Sequence, residues 1–278
     1  MREIDSSRIQ EAVKKLAIEA AYDLEPDILN SLKAAEERET SSLARSGLAM
    51  LLENAALATD KNIPVCQDTG ISVVFLTLGQ DVHVQGDLHR AVQEGVRIGY
   101  DEGYLRKSVC DPITRTNTNT NTPAVVHTEI VEGDRIRIAF LPKGCGSENM
   151  SGLVMLPPSA GRQGVIDFIV NKVKAAGPNP CPPVIVGVGL GGTFEMAAYL
   201  AKKVLLRPVG EPNPRSDVAE LEQDILTALN REGQGVLGWG GNNTALAVHM
   251  DIYPTHIASL PVAVNIQCHA HRHKEIEF

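Results

Sequence analysis

Apolar residues recur at three- and four-residue intervals through Ile9, Val13, Leu16 and Ala20, behind three capping candidates, Asp5, Ser6 and Ser7. That spacing predicts helix over residues 5–60, with a break at Pro26. The pattern then changes. "ISVVFLTLG" (71–79), rich in β-branched residues, predicts a strand, and "GDLHRAVQEGVRIGYDEG" (86–103) a helix bordered by glycine. "RIRIAFLPKG" (135–144) alternates as a strand does, whereas "QGVIDFIVNKVKAAG" (163–177) and "DVAELEQDILTALNREG" (217–233) are amphipathic helices with glycine stops. "PPVIVGVGLGGTFEMAAYLAKKVLL" predicts strand, glycine turn and helix, and "ALAVHMDIYP" and "LPVAVNIQC" predict strands. Strands and helices interleave without a linker or repeat. The expected class is therefore α/β of the mixed α+β kind: a helical N-terminal region packed on a mixed β-sheet, with strand order left open.

The chain has 278 residues, which allows one large domain or two small ones with a sizeable core in either case, and the interleaved elements favour a single unit. Its formal net charge of -8, with no basic stripe, argues against nucleic acid as a partner. No apolar run approaches the roughly 20 residues of a membrane span. The polar start "MREIDSSRIQEAVKK" lacks the apolar core of a signal peptide, so the expected compartment is the cytoplasm, where thiols stay reduced.

Several stretches carry candidate chemistry. "GVGLGG" (187–192) fits a glycine fingerprint between a strand and a helix, but no acidic residue follows at the distance a ribose needs. A tight strand-to-helix turn is the favoured reading, with an anion at the helix start as an alternative. "HAHRHKE" places three alternating histidines near the C-terminus, read as a solvated tail in preference to a metal site. "TRTNTNTNTP" (114–123) reads as a polar loop. "KGCGSEN" (143–149) is a glycine turn, either a plain strand exit or a cradle of N–H groups for an anion. Arg106 gains meaning only if a carboxylate must be clamped.

The five cysteines, Cys66, Cys110, Cys145, Cys181 and Cys268, are odd in number, scattered, and form no CxxC pair. A buried cysteine is ordinarily a small hydrophobe. Three of these nevertheless stand at the edges of apolar strands, in "IPVCQDTG", "NPCPPVIVGVG" and "LPVAVNIQC". Three thiolates from separate strand ends suit an iron–sulfur cluster that keeps one iron open as a Lewis acid.

Taken together, "PVCQDTG", "NTPAVVH", "KGCGSENMSG", "NPCPPVIVGVGLGGT", "LLRPVG" and "PTHIASLPVAVNIQCHAHRHK" resemble the α subunit of class I, iron–sulfur fumarate hydratases. The same chain type forms the N-terminal domain of single-chain class I fumarases, and the L-tartrate dehydratase α subunit is related. The resemblance implies one α-type domain over 1–278, with a helical segment at about 1–60. It implies a [4Fe-4S] cluster on Cys66, Cys181 and Cys268. Gln67 and Asp68 would meet the substrate, Asp68 as the acid that assists hydroxyl departure, and Arg106 would bind a substrate carboxylate. His256 matches an active-site histidine, and the turn through Gly144, Cys145 and Gly146 a substrate-facing loop. Family members usually have glycine where this chain has Cys145.

The resemblance further implies a fumarate or malate-type dicarboxylate substrate, favoured over tartrate by "GSENMSG". It also implies a β subunit bearing the catalytic base, further arginines and a lysine, in an α2β2 assembly with the C-terminal tail close to the β chain. A non-catalytic iron–sulfur scaffold and a nicotinamide enzyme are the competing classes. Asp68 and Arg106 speak against a scaffold, which needs neither a proton donor nor a carboxylate clamp.

Overall fold

A computed structural model describes residues 2–278. In chain order the elements are β1 (Arg2–Asp5), α1 (Ser6–Tyr22), α2 (Pro26–Arg38), α3 (Ser42–Lys61), β2 (Ile71–Gly79), β3 (Val82–Gln85), α4 (Leu88–Glu102), β4 (Val125–Val131), β5 (Ile136–Lys143), α5 (Cys145–Glu148), β6 (Gly152–Leu156), α6 (Gly161–Ala176), β7 (Val184–Gly191), α7 (Phe194–Lys203), α8 (Ser216–Glu232), β8 (Ala245–Tyr253), β9 (Leu260–Gln267) and β10 (Lys274–Glu277). The class is mixed α and β, as the alternating periodicities predict. The chain forms two compact units. The first comprises residues through Leu24, Ala55–Cys145 and Arg272–Phe278, and the second Glu25–Asn54 and Gly146–His271.

In the first unit, Asp5 caps α1 by accepting the Ser7 N–H at 2.8 Å, and Asp87 caps α4 through Arg90 at 2.9 Å. Ahead of the predicted helix, Arg2–Asp5 pairs in parallel with β3. The main sheet has the order β10-β5-β2-β4, with β2 parallel to β4 and antiparallel to β5. The interior position of β2 explains its nearly continuous apolar run. The apolar stripes of α1 (Ile9, Val13, Leu16) and α4 (Val92, Val96, Tyr100) form one core with Val74, Leu76, Ile136, Ile138 and Phe140 of the sheet.

The C-terminal segment is not the solvated tail its composition suggests. Lys274–Glu277 adds an antiparallel strand to the edge of β5, with Ile276 opposite Ile138. His271, Arg272 and His273 just before it are 1%, 2% and 8% exposed. A strand of four residues is too short for alternation to announce it, and the open edge of β5 supplies the partner.

In the second unit the order is β6-β9-β7-β8, with β7 parallel to β8 and antiparallel to β9. Helices α6 and α8 cover one face: Val165, Ile169, Ile225 and Leu229 pack with Val184, Val186 and Val188 of β7. The opposite face carries α7, through Ala197 and Ala201 against Ala263. The alternate residues of β7 on that side are Gly187 and Gly189. A Cβ at Gly187 would lie 2.1 Å from the Ala201 carbonyl oxygen, and one at Gly189 2.0 Å from that of Ala197. The turn expected between strand and helix is present, but these two glycines have a different task. They let a helix backbone lie directly on the strand, and that packing accounts for them without a nucleotide.

Residues 25–54 join the second unit through Glu39, which is fully buried. Its carboxylate accepts the N–H groups of Thr40 (2.9 Å), Ser41 (3.0 Å) and Asn242 (2.9 Å) and the Asn243 amide (2.7 Å). Burial alone would push its pKa up, but the donors from Ser41, Asn243, Asn242 and Thr40 outweigh it and hold the carboxyl below the usual range. Among the described residues no helix is long and apolar enough to cross a membrane.

Two outcomes follow. Gly189→Ala forces a backbone clash at the α7 contact and lowers unfolding free energy by about 3 kcal/mol or more, measured by urea titration. Glu39→Gln turns an amide NH2 toward donors and costs about 2 kcal/mol. Because the folded-state pKa of Glu39 is depressed, its contribution is present above the ordinary glutamate range and lost as pH falls through the depressed value. The wild-type chain therefore loses stability on acidification more steeply than Glu39→Gln, as thermal melts across that range will show.

Candidate active site

In the first unit, the loop between α3 and β2 is anchored at its start by Val65, a buried residue whose N–H donates to the Ala21 carbonyl at 3.0 Å. Cys66 follows, half-buried, with its Sγ 3.7 Å from Gln67 Oε1. The Asp68 carboxylate is fixed at both oxygens: Oδ1 accepts the Gly70 N–H at 3.0 Å and Oδ2 the Cys145 N–H at 2.8 Å. Gly70 has φ +76°, and a Cβ there would lie 2.7 Å from the Lys143 carbonyl carbon. Only glycine lets the loop and the end of β5 approach closely enough for Asp68 to reach Cys145.

The same loop is tied to Arg106. The buried Thr69 hydroxyl donates to the Arg106 carbonyl at 2.8 Å, and the Arg106 side chain is exposed. The carbonyls of the loop are also held. Arg272 Nη2 donates to Asp68 O at 2.9 Å, Tyr100 Oη to Thr69 O at 2.7 Å, and Asn121 Nδ2 to Gly70 O at 3.1 Å. Burial pushes the Tyr100 pKa up to about 12, which keeps its hydroxyl a donor.

Asn121 is a residue that pattern reading passes over. It lies in the "TNTNTNTP" patch and is fully buried, with Oδ1 accepting the N–H groups of Ser108 (2.7 Å) and Val109 (3.3 Å). Asn117 Nδ2 likewise donates to Lys107 O at 2.9 Å. The patch is a loop, as its composition predicts, but its asparagines brace the segment after Arg106. The alternation of Asn and Thr immediately before "PAVVH" was the available signal.

In the second unit, Cys181 is exposed and has φ +53°, a left-handed conformation that costs a non-glycine residue about 1 kcal/mol. Its carbonyl accepts the His269 N–H at 3.3 Å and pairs with His269 Nδ1 at 2.9 Å. Cys268, half-buried, directly follows β9 and precedes that histidine. The antiparallel β7 and β9 thus bring Cys181 and the Cys268–His269 step to the same end of the sheet.

The turn at Gly146 is braced from β9 as well. Ser147 Oγ donates to Gln267 Oε1 at 3.3 Å, and Asn265 Nδ2 to Glu148 Oε2 at 2.9 Å, while Lys202 pairs with the other oxygen of Glu148. His256 lies toward the other end of β9. It lies before the start of β9, whereas Cys268 follows its end, a strand length of about 25 Å. Its Nδ1 accepts the Ala258 N–H at 3.1 Å, so Nε2 carries the ring proton of the neutral form. It lines a cavity of about 510 Å³ with Leu190, Leu221 and Met250.

Six of the sequence-predicted site residues, Cys66, Gln67, Asp68, Arg106, Gly144 and Cys145, thus belong to the first unit, and Gly146, Cys181, His256 and Cys268 to the second. None of the five cysteines is in a disulfide. Within each unit, among the described residues, no three His, Cys, Asp or Glu side chains are gathered as a metal ion requires. The donor chemistry nonetheless fits a soft-ligand group: thiols at loop positions, one of them presented by a left-handed backbone.

A model of the family described as fumarate hydratase (Fumerase) matches residues 10–277. A Methanocaldococcus jannaschii protein named "Putative L(+)-tartrate dehydratase subunit alpha" is 41% identical over 272 residues, covering 95% of each chain. The Escherichia coli K12 protein named "L(+)-tartrate dehydratase subunit alpha" is 32% identical over 270 residues, 96% of this chain and 89% of its own. With the family model spanning nearly the whole sequence, the chain belongs to the fumarate hydratase (Fumerase) family of hydro-lyases.

Proposed function

We propose that this chain is the α subunit of a hydro-lyase that interconverts fumarate and L-malate, acting with a β subunit in an α2β2 assembly. The observation that carries the reading, given the family, is the Asp68 carboxylate. It is oriented by the N–H groups of Gly70 and Cys145, two residues from the Cys66 thiol, on a loop bonded to the Arg106 segment. Dehydration of a 2-hydroxydicarboxylate breaks the C2–O bond and removes a C3 proton. Asp68 is the group proposed to deliver a proton to the departing oxygen, and its fixed orientation limits the rearrangement that transfer needs. The exposed Arg106 guanidinium is suited to hold a substrate carboxylate bidentately. Gln67, beside them, offers an amide to the substrate.

Cys66, Cys181 and Cys268 are the proposed ligands of a [4Fe-4S] cluster. When bound, such a cluster supplies Lewis-acid chemistry that offsets the negative charge developing on a departing hydroxyl. The β subunit would contribute the base for the C3 proton and the further positive charge a dicarboxylate requires.

A second reading is favoured by the relatives' names: the substrate would be L(+)-tartrate, which differs from malate by a hydroxyl at C3. The same elimination serves both. A site that hydrogen-bonds that hydroxyl would discriminate strongly against malate, whereas a site that does not would discriminate weakly.

The protein is to be produced and reconstituted without oxygen, with its β subunit, and assayed on malate, fumarate and both tartrate enantiomers. Highest kcat/KM on malate and fumarate is expected. A preference for L(+)-tartrate would establish the second reading, and inactivity on all four would sink the hydro-lyase assignment. Cys66→Ser, Cys181→Ser and Cys268→Ser should each lose iron and turnover while Cys110→Ser retains both. Wild-type iron content in any of the first three would remove that residue from the ligand set.

Cys181 permits a separate test, because its backbone strain has a measurable cost. Cys181→Gly relieves the left-handed conformation, so the metal-free chain should be as stable as wild type or up to about 1 kcal/mol more stable, while iron retention falls. A clear loss of stability in the metal-free chain would show that the thiol has a packing role instead.

A further inference from the structure

Among the described residues Arg272 is the largest fully buried side chain, and the partner it has is a main-chain carbonyl rather than a carboxylate. Its Nη2 donates to the main-chain carbonyl of Asp68 at 2.9 Å, and its Nε and Nη1 have no hydrogen-bond partner. A guanidinium in that setting is costly, because each buried donor gives up water. An apolar side chain of similar volume would fill the space with less penalty. What an apolar side chain could not do is hold the Asp68 carbonyl.

The bond matters because of what lies on either side of it. The Asp68 carbonyl belongs to the peptide joining Asp68 to Thr69, and Thr69 and Gly70 are themselves fixed by Tyr100, Asn121 and the Arg106 carbonyl. Arg272 closes this set at its N-terminal end. With the carbonyl free, the peptide could rotate and swing the carboxylate off the Gly70 and Cys145 N–H groups. Arg272 reaches the loop from a segment 204 residues away, held in place by β10 on the edge of β5.

We propose that Arg272 is a positioning residue for Asp68: its buried guanidinium holds the Asp68 main-chain carbonyl and thereby aims the side-chain carboxylate. The inference rests on the reading above that Asp68 is the functional acid, but its first test does not depend on any substrate. Site-resolved amide hydrogen exchange of the full chain reads the Gly70 and Cys145 N–H groups, which report directly on the carboxylate.

In Arg272→Met, exchange at these two amides should be faster by about tenfold, with the β2 and β5 amides of the sheet unchanged. In Arg272→Lys, which keeps one donor, the same selective acceleration should be about threefold, and this variant decides the matter if the methionine variant does not fold. In the assembled enzyme, Arg272→Met should lower kcat by about tenfold or more with KM within about twofold, and Arg272→Lys should recover part of it. Unchanged exchange at Gly70 and Cys145 would overturn the proposal, and so would a uniform acceleration across β2, β5 and β10, which marks a merely structural role. If the wild-type enzyme turns over no 2-hydroxydicarboxylate, the functional reading falls while the exchange result still decides whether Arg272 positions Asp68.

Discussion

The Asp68 carboxylate joins two points that the chain keeps 77 residues apart, the loop before β2 and the exit of β5. Much of the first unit's local arrangement can be traced to this junction. Gly70 must lack a side chain so that the loop can lie on the Lys143 backbone. Strands β2 and β5 must be direct neighbours, in the register that sets Ile71 opposite Lys143, to bring the two ends together. Thr69, Tyr100 and Asn121 then occupy the donors and acceptors that such a loop would otherwise leave unmade in the interior. The carboxylate is therefore held by backbone N–H groups whose positions are set by the sheet, a more rigid arrangement than a side-chain partner on a mobile stem.

The second unit solves a related problem by different means. Its sheet is packed on both faces, and the close approach of α7 to the glycine side of β7 leaves little freedom for the ends of that strand. Cys181 stands just before β7, in a backbone conformation that persists because its carbonyl is bonded to His269. Asn265 and Gln267, polar residues in an otherwise apolar β9, brace the turn at Ser147 and Glu148. Rigid strands set the ends, and polar side chains at those ends shape the loops.

This division explains what was legible in the sequence. Strands β2, β5, β7, β8 and β9 and helices α1, α4, α6 and α8 are long enough for their periodicity to be read, and each lies where the apolar pattern puts it. The short strands β1, β3, β6 and β10 have only four or five residues, so alternation carries no signal, and their existence depends on a neighbouring edge. The glycine fingerprint was ambiguous because a pyrophosphate and a helix backbone make the same demand on a strand, room where a Cβ would be. The histidine-rich segment misled for a related reason. Composition predicts solvation for charged and polar residues, but pairing of β10 with β5 carries Arg272 into the interior. Its partner is the Asp68 carbonyl, and a main-chain acceptor leaves no trace in the sequence.

Buried polarity is costly, so its distribution is informative. Around the loop that follows Cys66 lie Thr69, Asn121 and Arg272, all buried, and about the turn after Gly146 lie Ser147, Asn265 and Gln267. Each unit has its own apolar core, under α1 and α4 in the first and under α6 and α8 in the second. These polar side chains fix individual carbonyls, hydroxyls and carboxylates, which apolar packing cannot do because it is indifferent to direction. A fold that needed only stability would have placed aliphatic residues at these positions. That it carries directional bonds at two loops, one following Cys66 and the other preceding β6, is the physical sign that the geometry of those loops is itself under constraint.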